Sequence, residues 1–258
     1  SNPFEGYRCQ AFPLPPGVPI ALGLILSEAA TRLGYHPFAY PTAINSRPYD
    51  GRPACNDCGF CGEYGCSISA KGSPAVTFLR KALLTGNCLL LSETRAVKFF
   101  TNTAKNHVTH LEALGPKGEK VEFTADQFIL AASPIEDVRL LLLSDPEGTG
   151  LGNSSGLVGK NLMFHFQPIA IGIFEQRIHP GRGRVVTHGM LDFRGDPTDP
   201  NRPMGGILEF GAGPDPIFEA TTYAIDIGLR GKFLKNFLKE SPLRDHMAVL
   251  TMQAEDAP

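Results

Sequence analysis

From Cys88 onward the apolar residues of this chain stop recurring every three or four positions and begin to alternate, and this change of period limits the fold most. Before it, PIALGLILSEAATRL (residues 19–33) places Leu22, Ile25, Ala29 and Leu33 on one helical side, with Gly34 as a stop. Ser73-Pro74 then reads as a cap and first-turn proline for VTFLRKALL, ended by Gly86. After it, CLLLSE, RAVKFFTNT, HVTHLEALGP and EKVEFTADQFILAA predict a meander of strands over 88–132. The last piece, FILAA (128–132), does not alternate, which predicts a strand covered on both faces, as in a parallel sheet. Ser133-Pro134 then predicts a capped helix, PIEDVRLLLLS, and strand into helix suggests half of an α/β unit. Beyond Asp145, PIAIGIFE, RVVTHGMLDF, GGILEF and MAVLTMQAE read as strands and Gly231–Glu240 as a helix, which predicts an antiparallel sheet with a helix over it.

A chain of 258 residues can bury a sizeable core without metal or disulfide staples. Its net charge is −2 with no basic block, so the footprint of a nucleic-acid or anionic-membrane binder is absent and a small-molecule partner is favoured. No apolar run reaches the roughly 18–20 residues of a membrane span. The start, SNPFEGYRC, lacks the pattern of a secretory signal. Localisation stays open, with a soluble, cytoplasmic protein favoured over a secreted one.

Four of the six cysteines, Cys55, Cys58, Cys61 and Cys66, fall in a loop over 54–74 with the spacing C-x2-C-x2-C-x4-C. The ferredoxin run C-x2-C-x2-C-x3-C-P is near but not identical, and a zinc ribbon separates its pairs more widely. The spacing therefore leaves open an iron–sulfur cluster, disulfides, or a shaped glycine-rich loop of buried thiols. None of the seven histidines forms H-E-x-x-H, and only His165, after GLVGKNLMF, has a distinctive context. No G-x-S-x-G, P-loop or G-x-G-x-x-G run occurs, so no complete active site is present by motif.

GCSISAKGSPAVTFLRKAL, the strand pair containing RAV, ADQFILAASPIEDVRLLLLS and GLGNSSGLVGKNLMFH stand in an order that resembles the middle third of glucose-methanol-choline (GMC) flavoprotein oxidoreductases. The four blocks cover Gly65 to His165, and members with a C-x2-C-G-x-C loop ahead of G-C-x-x-x-A-K are familiar. The resemblance implies an FAD cofactor and an alcohol substrate whose hydride passes to the flavin. It implies that the backbone of Val97 hydrogen-bonds the adenine, and that Ala132 and Ser133, where the family has A-A-G-A-I-E, lie near the cofactor. It assigns no catalytic residue here, because the family's pyrophosphate turn and catalytic histidine have no counterpart in these residues.

The expectation is an α+β or α/β protein: a partial FAD-binding domain over 1–145, with the cysteine loop and meander, and an incomplete antiparallel substrate domain over 146–258, covered by helices. It would be an internal portion of a flavin-dependent alcohol dehydrogenase or oxidase, inactive alone, its sheet edges covered by a second copy or by the remainder of the enzyme. The alternatives are an iron–sulfur electron-transfer module built on the four cysteines and a non-catalytic binding domain.

Overall fold

The structure, a computed structural model, describes residues 3–255 except 63, 146, 196–197, 199–200, 202–204, 212–215 and 242. It has mixed helix and antiparallel sheet, an α+β fold, and two compact units. These are not the consecutive halves expected from the sequence. One unit joins Ser1–Arg80 to Phe164–Ala257, and the other is Lys81–Met163.

In the first unit, α1 (Ala21–Arg32) lies over a six-stranded sheet of β1 (Phe38–Ala39), β5 (His165–Phe166), β6 (Ile169–Ile173), β7 (Val186–Met190), β8 (Gly206–Gly211) and β9 (Met247–Glu255). The order is β1-β7-β8-β9-β5, with β6 also paired to β9. The helical stripe of α1 is apolar for a reason: Leu22 and Ala30 are buried, and Leu26 packs against the cluster of Ala30, Met190 and Phe210, as do Leu208 and Leu250 of the sheet. Side chains on a strand point alternately to the two faces, so the residues between these lie on the face turned away from α1. Directly paired residues share a face, which puts Glu209 with Thr251, Ile207 with Gln253, and Ile169 and Ile171 with Thr251 and Val249 on that open side. Ile169, Ile171 and Ile173 are each 57% exposed there. The predicted strands β6 to β9 and α5 (Gly231–Glu240) fall where the period places them. The helix α4 (Pro216–Asp226), which packs on α5 through Tyr223 and Phe237, and the short α6 (Leu243–His246) had no clear periodic signal.

In the second unit, β2 (Arg95–Thr101), β3 (Val108–Leu114) and β4 (Lys120–Phe123) form the expected meander, in the order β2-β3-β4. The helix α3 (Pro134–Ser144) packs on β2: the Phe99 N–H donates to Ser144 Oγ at 2.9 Å, and Phe99 meets Phe128 edge to face. Two predicted strands are absent. Residues 88–93 carry no strand, and neither do 128–132, where Ile129 is 90% exposed. No strand of the described chain lies beside either run, and a strand needs a neighbour to pair its N–H and C=O groups. The parallel α/β pairing expected at FILAA is therefore corrected to an extended segment leading into α3.

The helix after Ser73 also starts later than its sequence suggests. The helix α2 is Phe78–Leu84, and Ser73 contributes its carbonyl, which accepts from the Val76 and Thr77 N–H groups. Among the described residues no helix is long and apolar enough to cross a membrane.

Candidate functional site

The open face of the six-stranded sheet carries a cavity of about 810 Å³, whose lining includes Tyr40, His165, Arg194 and Gln253. The face follows from register: His165 pairs with Glu255 and Phe38 with Gly189, on the same side as Gln253 and Glu209. Beneath the lining, Glu209 joins two strands and a loop. Gln253 Nε2 donates to Glu209 Oε2 at 2.9 Å, and the Tyr40 hydroxyl is hydrogen-bonded to the same carboxylate. Burial, then the Glu209 contact and its negative charge, push the Tyr40 phenol up to about 12, so at neutral pH it is a donor to Glu209. A β-carbon on Gly189 would lie 2.9 Å from Tyr40 Cδ2 and 2.6 Å from the Leu208 carbonyl, so glycine there lets the ring lie against the sheet. With Glu209 taking one proton from each, Tyr40 Oη and Gln253 Oε1 keep lone pairs for hydrogen-bond donors in the cavity.

The cysteine loop is held from its flanks. Asn45 is 4% exposed; its Nδ2 donates to the carbonyls of Tyr49, Arg52 and Pro53, and its Oδ1 accepts from Arg52 Nη2. Its backbone pairs with Ala70 on one side and Cys55 on the other, so both ends of the loop meet at this residue. Lys71 Nζ closes the span by donating to the carbonyls of Cys61 and Tyr64. All six cysteines are free thiols. Burial pushes the Cys55 and Cys61 thiols up, which favours the neutral form. Burial also raises Cys66, but N–H groups of Lys71, Ile68, Ala70 and Ser69 aimed at its sulfur outweigh that, and the net shift is down. Among the described residues no group of three or more His, Cys, Asp or Glu is placed to hold a metal ion. The iron–sulfur alternative on Cys55, Cys58, Cys61 and Cys66 thus finds no assembled ligand set among the described residues, and the loop aims its own amides at the Cys66 sulfur.

In the second unit, Val97 sits at a bulge. Ala96 pairs with Ala113 and Lys98 with Glu112, which leaves Val97 as the extra residue with no partner across on β3. Its strand is also an edge of the three-stranded sheet. Ala132 N–H donates to Asp137 Oδ1 at 2.6 Å, ahead of α3. Ser133 does not cap with its side chain, as its sequence position predicts; its backbone lies at φ 91°, ψ 146°, and only its carbonyl is used, by the Asp137 N–H.

A family model described as GMC oxidoreductase matches residues 23–167. The chain belongs to this family. Curated relatives include paromamine 6'-oxidase from Streptomyces fradiae, 35% identical over 66% of this chain and 31% of its own length. The fructose dehydrogenase large subunit from Gluconobacter japonicus is 33% identical over 65% of the chain and 30% of its length. The gluconate 2-dehydrogenase flavoprotein from Pantoea cypripedii is 30% identical over 61% and 26%. The chain spans about a third of the length of these GMC relatives.

Membership makes the Ser133 backbone intelligible, since the GMC segment resembled here has glycine at that position and the fold keeps a glycine conformation under a serine. Such a φ/ψ pair strains a residue with a β-carbon by about 1–3 kcal/mol, while glycine gives back about 0.5–1 in chain entropy. Ser133→Gly is expected to raise stability by about 1 kcal/mol, seen as a higher denaturation midpoint at unchanged urea slope. A lower midpoint would mean that the serine hydroxyl, not its backbone, matters there. Tyr40, Glu209 and Gln253 carried no motif. For Glu209 and Gln253 the one trace in the sequence is polar residues inside two otherwise apolar strands, GGILEF and MAVLTMQAE, and Tyr40 left none.

Proposed function

We propose that this chain supplies part of the FAD seat and one wall of the alcohol pocket of a flavin-dependent GMC oxidoreductase acting on polyhydroxylated CH–OH donors. The observation that carries this reading is the cavity on the open sheet face, with Tyr40 and Gln253 fixed as acceptors by Glu209. Fructose, gluconate and paromamine, the compounds in the relatives' names, all present several O–H donors to such a floor. The unpaired Val97 at the β2 bulge supports an adenine contact: a base edge needs one N–H and one C=O, which a strand edge offers without side-chain chemistry. Ala132 and Ser133 are proposed to lie near the flavin, as the family position implies. When bound, the flavin supplies the acceptor for the substrate's hydride. The contribution of this chain is to bind and orient the alcohol by hydrogen bonds.

Kinetics of the full product of the gene test the cavity. Tyr40→Phe combined with Gln253→Leu is expected to raise KM for a polyhydroxylated substrate about five- to tenfold, with a smaller change in kcat, since ground-state hydrogen bonds are lost. Unchanged KM values for fructose, gluconate and paromamine alike would move the substrate off this face.

A further inference from the structure

We infer that the first unit holds a second ligand site, one that takes an organic oxyanion: a carboxylate or phosphate on a small apolar body. A cavity of about 360 Å³ lies between the Phe12–Gly17 arm and the Tyr40–Asn45 segment, and Arg52 and Arg184 both line it. Among the described residues no Asp or Glu lines it. Arg184 is 5% exposed and, among the described residues, makes a single hydrogen bond, from Nη2 to the Val18 carbonyl at 2.9 Å. Its Nε is buried without an acceptor; Asp57 Oδ1 is 3.7 Å away, close enough for charge attraction but too far for a hydrogen bond.

Arg52 repeats the pattern. Its Nη atoms donate to the carbonyls of Ser69 and Ala70 and to Asn45 Oδ1, all neutral, and its Nε is buried with no acceptor. Apart from the Asp57 attraction on Arg184, no carboxylate among the described residues meets either guanidinium, and two such cations on one cavity point to an anion from outside these residues. The guanidinium fork matches two oxygens of a carboxylate or phosphate. A β-carbon on Gly17 would fall 1.7 Å from Arg184 Nη2, so glycine leaves the room in which the guanidinium rests against bare backbone. The remaining wall is largely apolar, with Phe12, Leu14, Ile44 and Phe78 suited to a ring or short hydrocarbon. The volume is at the small end of ligand pockets, which fits a single ring and excludes a dinucleotide.

Calorimetric titration of the full gene product with sodium benzoate and with phenyl phosphate, at constant ionic strength set by sodium chloride, tests the site without using turnover or flavin. Saturable binding of either probe is expected, and the tighter of the two names the headgroup. Arg184→Lys and Arg52→Lys keep the charge but lose the fork, and each is expected to weaken binding by about tenfold or more. Absence of saturable binding by both probes, or affinities unchanged in both lysine variants, overturns the proposal. Should Arg184→Lys not fold, Arg52→Lys and the two wild-type titrations decide it.

Discussion

Replacing Val97 by proline in the full gene product is expected to weaken FAD binding by more than about a hundredfold, while Val97→Ala leaves it within about threefold. The contrast follows from which atoms are proposed to act. Alanine keeps the N–H and C=O at the bulge and removes only a side chain, whereas proline removes the N–H and adds a ring where an adenine edge is to sit. The bulge matters to the interpretation. A proline in the regular part of β2 would break the ladder to β3, but Val97 has no partner residue across on β3, so the sheet is expected to tolerate the change better than its neighbours Ala96 or Lys98 would. Flavin titration followed by fluorescence quenching, with circular dichroism to show that the sheet persists, separates loss of the contact from loss of the fold. Equal and small effects of both substitutions would remove Val97 from the cofactor seat.

The second large effect is structural. Asn45→Ala is expected to destabilise the first unit by about 3 kcal/mol, because three carbonyls lose their donor and Arg52 loses an acceptor at a site 4% exposed. Asn45→Asp is expected to be almost as damaging, since a carboxylate accepts but cannot donate to the Tyr49, Arg52 and Pro53 carbonyls. Chemical denaturation measures both. The same variants should raise the reactivity of Cys55 and Cys61 toward thiol reagents, because the loop ends joined at Asn45 shield them. A change below about 0.5 kcal/mol would mean that the loop is held elsewhere.

These expectations show where residue patterns suffice and where they fail. The helix α1 and the strands β7 to β9 were legible because each has buried residues, and burial writes its period into the chain, whereas β6, exposed along its length, was legible from its β-branched run. FILAA misled for the converse reason: an apolar run reports affinity for cover, not whether a neighbouring strand exists to provide it. Ser133-Pro134 read as a cap from residue types alone, but capping depends on φ and ψ, and a φ of 91° turns the serine away from that role.

The division into units was hidden because Phe38–Tyr40, ahead of the cysteine loop, folds with a strand more than a hundred residues later, in the pairing of β1 with β7 and the Tyr40 N–H donating to the Thr187 carbonyl. The cavity floor was hidden for a related reason. Glu209 and Gln253 meet only because β8 and β9 pair in the register Ile207 to Gln253, and register is a property of two strands together. The family blocks, by contrast, were readable in order from Gly65 to His165, within the span that the family model matches.

The most direct test of the central claim is anaerobic optical titration of the purified full gene product with a polyhydroxylated alcohol. A yellow protein whose visible flavin band bleaches on adding fructose, gluconate or paromamine, and does so only at higher substrate concentration after Tyr40→Phe with Gln253→Leu, is the predicted result. A protein that takes up no flavin, or one whose band bleaches with identical substrate dependence in that double variant, would contradict it.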